Sequence, residues 1–427
     1  MPGKHLTTVV RHFTLKRQRA AAVQNLAELP THSNSRQRPG VRRPSAACVL
    51  GLFFFAVLAL QLRAQETNSV ASGAKFLGSQ TCSSSSCHGG AGEKSKQFTI
   101  WSTHDFHHAR PYATLETARS ERIAEVLKIG NPTQSARCTV CHAPFATVPA
   151  ERLGHDVAVT EGVSCESCHG PAENWIRSHT RPDYTHADRV ATGMRDLKNL
   201  YVRANTCVAC HQNIDPEIRA AGHPELIFEL DGQSVTMPRH WQPETPEQHV
   251  AIWYTGQLVA LREMSWQLVQ TQPPTPDLTN RWSALVWLMR HAWIADQQPV
   301  VASLDRENID SYRVVVDEYA RLVGRGSVLF TSNAELTRRF LSQLASTSPD
   351  FKDKSVSPEI QARRAERLVL ALDRLAIGAN IATNTAVNQS LNKLFADAQS
   401  LPDFNPDQFA NDLNTFHSSV AGFLETK

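Results

Sequence analysis

The chain has 427 residues and a formal net charge of +3, with 44 Lys and Arg against 41 Asp and Glu. Residues 1–43 hold nine of the basic residues and a single acid, Glu28, so the positive balance belongs to the N-terminal segment. Without residues 1–64, 34 basic and 40 acidic residues remain, which is a net charge of −6, and they form no basic patch. This balance argues against a nucleic-acid-binding protein, and no nucleic acid is expected among the partners.

Residues 1–64 are predicted to be a basic leader followed by a signal peptide or membrane anchor. The basic lead is followed by an apolar run from Ser45 to Leu60 and by a small residue, Ala64. This order is typical of a secretory signal. The run is short for a membrane span, and an uncleaved anchor through residues 45–62 is the alternative. Both interpretations predict a periplasmic protein.

Residues 65–244 contain four cysteine pairs, each followed directly by a histidine. The pairs and their histidines are Cys82 and Cys87 with His88, Cys138 and Cys141 with His142, Cys165 and Cys168 with His169, and Cys207 and Cys210 with His211. This pattern is typical of c-type haem attachment, in which two thiols bind the porphyrin covalently and the histidine binds the iron. It predicts four covalently attached haem c groups, although the first pair has four intervening residues instead of two.

Two other chemistries use paired cysteines and are kept as alternatives. Zinc ribbons bind one metal with two pairs, and exported proteins form disulfides. Haem is favoured because every pair carries its own histidine and only Cys48 lies outside the pairs. The four sites share about 168 residues, roughly 42 per haem, which is too few for an apolar core around each. We therefore expect short helices packed on closely spaced haems, between which electrons could pass.

Residues 245–427 have apolar residues at helical spacing and no metal-ligand cluster of their own. The predicted helices are Glu247–Gln270, Trp282–Ile294, Asp310–Val323, Glu335–Leu344, Pro358–Ile377, Thr383–Ala398 and Asp407–Phe423. The predicted fold class is therefore mainly α, with a loop-rich tetrahaem cytochrome domain followed by an antiparallel helical domain. Five tryptophans are expected to pack in its core, with cover of a haem edge as the alternative; they are Trp253, Trp266, Trp282, Trp287 and Trp293.

The second face of a haem iron in an electron carrier is commonly occupied by histidine or methionine. Only Met194 and Met237 fall within the haem region, beside nine histidines that follow no cysteine pair. Ligation by two histidines is therefore favoured. The nine candidates are His104, His107, His108, His155, His179, His186, His223, His240 and His249.

A further pattern is formed, in chain order, by Phe76–Cys82, His108–Leu115, Glu161–Pro171 with His179, Ala220–Pro224 and Met237–Trp241. Over residues 76–242 the chain thereby resembles the multihaem electron carriers of the cytochrome c-554 family. The resemblance implies that His108, with His104 and His107 as competitors, is the distal ligand of a haem attached further along the chain. It also implies that His179 serves the first haem.

For the fourth haem we choose His223, within Gly222-His223-Pro224, with His240 as the alternative. In the family the second haem is regarded as lacking a protein ligand on one face. His155 or His240 could fill that face here, and the sequence leaves it open. No cysteine accompanies His291, so no fifth haem is expected in the helical domain.

These features predict a periplasmic tetrahaem cytochrome that transfers electrons between redox partner proteins. The alternative is an oxidoreductase that acts on a small nitrogen or sulfur compound at a five-coordinate haem. We favour the carrier over the enzyme. Docking of the haem domain on a larger complex, through the helical domain, is compatible with both.

Overall fold

The computed structural model describes residues 73–271, 273–294, 304–326, 333–399 and 403–424. The predicted leader, residues 1–64, lies outside these ranges. Among the described residues, no helix is both long enough and apolar enough to cross a membrane.

The described part of the chain is mainly helical and has no β-strand, which confirms the predicted fold class. An isolated bridge pairs Phe76 with Leu153. The first part of the chain is rich in loops and short helices. Its α-helices are α1 (Gln97–His104), α2 (Phe106–Ala109), α3 (Pro111–Thr114), α4 (Ala118–Leu127), α5 (Ala136–His142), α6 (Cys165–His169), α7 (His186–Ala191), α8 (Leu200–His211), α9 (Pro216–Ala220) and α10 (Leu230–Thr236).

Three of the four cysteine pairs share one local structure. Helices α5, α6 and α8 each end at the histidine that follows the pair. Cysteines three residues apart lie on the same face of a helix, so each helix presents its two thiols in one direction. The first pair differs because Cys82 ends a 3-10 helix (Ser79–Cys82) and Cys87 lies in the turns that follow it.

Long helices form the second part of the described chain. They are α11 (Gln248–Gln270), α12 (Pro276–His291), α13 (Arg306–Gly324), α14 (Asn333–Ala345), the short α15 (Ser348–Lys352), α16 (Pro358–Gly378), α17 (Thr385–Ala398) and α18 (Pro406–Leu424). All seven predicted helices are present. The largest difference is at the start of α12, where Thr275 accepts a hydrogen bond from the Leu278 N–H and Pro276 occupies the first turn. This Thr-Pro start is a capping signal that hydrophobic spacing alone does not register.

A single apolar cluster fills the second part and reaches into the first. Four of the five tryptophans are buried in it, as predicted, whereas Trp266 is 44 % exposed and the prediction for it was wrong. Helix α8, which carries the fourth cysteine pair, contributes Ala204 and Val208 to the same cluster. The backbone of Gly324 on α13 lies so close to Tyr201 that a Cβ at this glycine would come within 2.5 Å of the Tyr201 N atom. The helical part therefore packs directly on the helix of the fourth site.

Candidate haem sites

Three histidines that follow a cysteine pair each face a second histidine from a distant part of the chain. The ring centroids of His88 and His179 are 6.2 Å apart. Those of His211 and His108 are also 6.2 Å apart, and those of His142 and His223 are 6.4 Å apart. In each pair, one residue was predicted as a proximal ligand and the other as a distal ligand.

These separations fit two imidazoles on opposite faces of one iron. A histidine nitrogen binds a first-row metal at about 2.0 Å, as it does zinc. The ring centroid lies about 1.1 Å further along the bond, so two such rings have centroids about 6.2 Å apart when both bind one haem iron. The residues therefore fit a six-coordinate haem at the first, second and fourth sites.

The hydrogen bonds of these rings orient the nitrogen that faces the partner. Nδ1 of His142 donates to the carbonyl of Pro111 at 2.9 Å, and Nδ1 of His223 donates to the carbonyl of Pro224 at 2.8 Å. A proton held on Nδ1 leaves the lone pair on Nε2, which is the form of histidine that binds a metal. The other such contacts are His88 with Gln97, His108 with Asp105 and His179 with Trp175.

The second site differs from the sequence prediction. His223 lies opposite His142 and not opposite His211, so its predicted assignment to the fourth haem was wrong. Two contacts hold the segment before His223 against the second site. Arg137, beside the second cysteine pair, forms ion pairs with Asp215 and Glu217. On helix α4, Arg119 donates to the Gly222 carbonyl.

His155, one predicted ligand for the second haem, has a 99 % exposed side chain. It bonds only with Asp156 in the described structure, and the pKa of its imidazole is raised by that carboxylate. His155 therefore does not face His142.

At the fourth site, His108 faces His211, as expected for a ligand of a haem attached further along the chain. The Asp105 carboxylate accepts from Nδ1 of His108 at 2.8 Å and thereby fixes the ring. Val163 N–H donates to the His108 carbonyl at 2.8 Å. Gly162 permits this approach because its φ is +78° and a Cβ would lie 2.6 Å from that same carbonyl oxygen.

At the third site, burial lowers the pKa of His169 to about 4, and the charge of His240 is the next largest cause. The pKa of His240 is also lowered, again mainly by burial. The histidines of the other three sites already face His179, His223 and His108, which leaves His240 as the candidate for the third site. The sequence suggested it for the fourth or the second.

In the described structure, the remaining candidate histidines face none of the histidines that follow a cysteine pair. His104 and His107 are exposed, as is His186, whose Nε2 bonds with Asp196 at 2.9 Å. His249 is buried in the helical part, where its Nδ1 bonds with Asp231 at 2.7 Å. These contacts indicate structural or surface roles.

Contacts between distant segments bring the four sites close together. Glu166, inside the third cysteine pair, accepts from the Gly78 N–H just before the 3-10 helix that ends at Cys82, so the first site adjoins the third. Cys141 and Cys168 both pack against Val163 and Cys210, which brings the second and third sites beside the fourth.

Zinc binding and disulfides were the alternatives for the paired cysteines. All eight paired cysteines are free thiols. In the same part of the chain, no three His, Cys, Asp or Glu side chains converge in a way that could hold a metal ion, whereas a structural zinc requires four ligands.

Residues that the sequence prediction missed orient the ligands and the loops between them. Glu166 lies inside the third cysteine pair and is fully buried, where its carboxylate accepts from the backbone N–H groups of Leu77, Gly78 and Ala172. Arg195 donates to the carbonyls of Ser167 and Cys168. Neither role has a signal in the sequence, because both depend on segments that meet only after folding.

The family model for cytochrome c554 and c-prime matches residues 81–170. This range contains the first three cysteine pairs and covers about a fifth of the chain. No curated protein and no solved structure matched the chain. The match supports the resemblance to multihaem c-type cytochromes, with covalently bound haem c and a role in carrying electrons.

Proposed function

We propose that the chain is a periplasmic tetrahaem cytochrome that transfers electrons between two redox proteins. The observation that carries the proposal is the set of three histidine pairs spaced 6.2–6.4 Å apart, each containing the histidine next to a cysteine pair. Rings at this separation also occur as ordinary aromatic contacts. The weight of the observation is that each pair joins the histidine beside a cysteine pair to a histidine from a distant segment, at the separation expected of two imidazoles that bind one iron.

The chain's own residues would hold the haems as follows. The eight paired cysteines would bind the porphyrins. His88, His142, His169 and His211 would each bind an iron, and His179, His223, His240 and His108, in the same order, would supply the second imidazole. Haem supplies one-electron chemistry between its ferric and ferrous states. The carbonyls and carboxylates that accept from Nδ1 fix the imidazole rings and tune their basicity.

The adjacency of the sites supports a relay. The bond from the Gly78 N–H to Glu166 places the first site beside the third, and we place the fourth site between the third and the second. Val163 and Cys210 form an apolar cluster against which Cys141 and Cys168 also pack, which brings three sites around one point. Sites this close allow an electron to move along the chain of sites without large motion of the protein. The first and second sites are then the two ends of the relay.

The position of His223 favours a carrier over an enzyme. An oxidoreductase acting on a small nitrogen or sulfur compound would need an open iron face, for which the second site was the candidate. His223 faces His142 at the distance of a second axial ligand. The compartment is proposed from the sequence of residues 1–64, with an anchor through residues 45–62 as the alternative to cleavage.

Two measurements on the full chain, expressed with export and haem attachment, test this proposal. A pyridine haemochrome assay should give four haems per chain, since all four pairs are expected to bind porphyrin. Low-temperature electron paramagnetic resonance of the oxidised protein should show low-spin ferric haem only. Fewer haems would contradict the attachment sites, and a high-spin signal in the unaltered protein would favour the enzyme.

A further inference from the structure

Fixed charges of opposite sign lie on the two sides of the third attachment site. One side adjoins the first site, because Glu166 accepts from the Gly78 N–H just before the 3-10 helix that ends at Cys82. The other side adjoins the fourth site, because Cys168 packs against Val163 and Cys210. The side chains that contribute these charges do not take part in haem attachment, so their charges can have a separate role.

Two carboxylates occupy the junction of the first and third sites. Glu166 is fully buried and accepts from the N–H of Gly78 at 2.7 Å and from that of Ala172 at 2.7 Å. Glu161 accepts from both the N–H and the hydroxyl of Ser79. Burial is the largest influence on Glu166 and raises the pKa of its carboxyl, while these backbone donors act against burial and favour the ionised form. In the part of the chain that the structure describes, neither glutamate forms an ion pair with a basic side chain. Both carboxylates thus lie against the start of the 3-10 helix that ends at Cys82.

One guanidinium occupies the junction of the third and fourth sites. Nη1 of Arg195 donates to the carbonyl of Ser167 at 2.8 Å and to that of Cys168 at 3.0 Å. Its backbone N–H donates to the carbonyl of His169 at 2.8 Å. Among the described residues Arg195 forms no ion pair with an acid, whereas the other guanidinium close to Cys207, that of Arg203, pairs with Glu244.

We propose that Glu161, Glu166 and Arg195 set a step in haem potential along the relay, low at the first site and high at the fourth. The inference rests on the proposed function. A ferric haem carries one more positive charge than a ferrous haem, so a nearby carboxylate stabilises the ferric state and a nearby guanidinium stabilises the ferrous state. These charges act strongly because they are partly or fully shielded from water.

This order of haem potentials, which we call the polarity, assigns a direction to electron transfer. One electron leaves a one-electron donor protein at the first site, passes the third and fourth sites, and reaches a one-electron acceptor protein from the second. No bond forms or breaks and no proton moves. The donor is oxidised and the acceptor is reduced by the same single electron. The donor-binding surface would then surround the first site, where Cys87 is exposed.

Redox titration of the four-haem protein, followed by electron paramagnetic resonance, tests the polarity. In Glu166→Gln the haem held by His88 and His179 should become easier to reduce, since a negative charge is lost while hydrogen-bond acceptance is partly retained. In Arg195→Gln one of the haems at the third and fourth sites should become harder to reduce. The expected size is about tenfold in the ratio of reduced to oxidised haem at fixed potential, or about 59 mV for one electron.

Matched controls separate charge from structural damage. Glu173→Gln removes an exposed carboxylate that also accepts from a backbone N–H, and Arg181→Gln removes an exposed guanidinium; both should leave every potential unchanged. Arg195→Lys keeps the charge and should retain the potential of the unaltered protein. If Glu166→Gln does not fold, Glu161→Gln replaces it with the same expected direction.

Four outcomes are distinguished. Shifts of opposite sign in the glutamate and arginine variants support the polarity. The polarity is overturned if the potentials shift in the same direction in both kinds of variant, or if the shifts are no larger than those of the controls. The proposed function remains intact in these cases if four haems are attached. Fewer than four haems in the unaltered protein overturn both.

Discussion

The sharpest consequence of the structure concerns His223, whose replacement should open the second haem. In His223→Ala the imidazole that faces His142 at 6.4 Å is lost, and a methyl group cannot reach the iron. Water or a small ligand would then take the sixth position. One of four haems should change from low to high spin, so that about a quarter of the total iron gives a high-spin ferric signal.

The variant should fold, because the segment around His223 is held by other contacts. Arg137 pairs with Asp215 and Glu217, and Arg119 donates to the Gly222 carbonyl, independently of the imidazole. The substitution removes one hydrogen bond, from Nδ1 to the Pro224 carbonyl, which is worth about 1 kcal/mol of unfolding free energy. Haem content should therefore remain at four per chain.

The assay is spin quantitation by low-temperature electron paramagnetic resonance, with nitric oxide or cyanide added as a probe of the open face. The matched control is His155→Ala, since His155 is exposed and bonds only with Asp156 in the described structure. The reasoning is refuted if His223→Ala remains fully low-spin with four haems attached. It is equally refuted if His155→Ala produces the same high-spin fraction.

Three further results are expected. The ring planes of His88 and His179 are 23° from parallel, whereas the planes of the two facing histidines are 73° apart at the second site and 67° apart at the fourth. Electron paramagnetic resonance spectra of the ferric protein should therefore contain a rhombic low-spin signal from the first haem beside strongly anisotropic signals from the second and fourth. Asp105→Asn should raise the midpoint potential of one haem in a redox titration, because a carboxylate on Nδ1 of His108 makes that ligand more basic. Burial raises the pKa of Glu229 from an ordinary 4.5 to about 8. Between these two pH values the folded protein holds a proton that the unfolded chain has released, so the free energy of unfolding should fall as the pH rises from 4.5 to about 8. Denaturant titrations at pH 5 and pH 8 should show the fall, and Glu229→Gln should reduce it; an equal fall in the variant would contradict the assignment to Glu229.

The sequence by itself determined the chemistry and the class of the elements. The cysteine pairs and their histidines are contiguous, so the attachment sites and the proximal ligands can be read without knowledge of the fold. The helices after Glu247 were predictable because their apolar positions recur at the helical period over three or more turns. The end of a helix was less predictable where a cap such as Thr275 decided it.

Only the tertiary structure decided which histidine faces which iron. A distal ligand is brought to its site by long-range contacts. The sequence assigned His223 to the fourth haem, whereas Arg119 and Arg137 hold its segment beside the second. The order of the sites and the opposite charges around the third site depend in the same way on contacts between distant segments. Trp266 shows the same limit, because helical spacing identifies an apolar residue but not whether another element covers it. Local patterns encode local structure and covalent chemistry, whereas the pairing of ligands arises from packing between segments that the sequence keeps far apart.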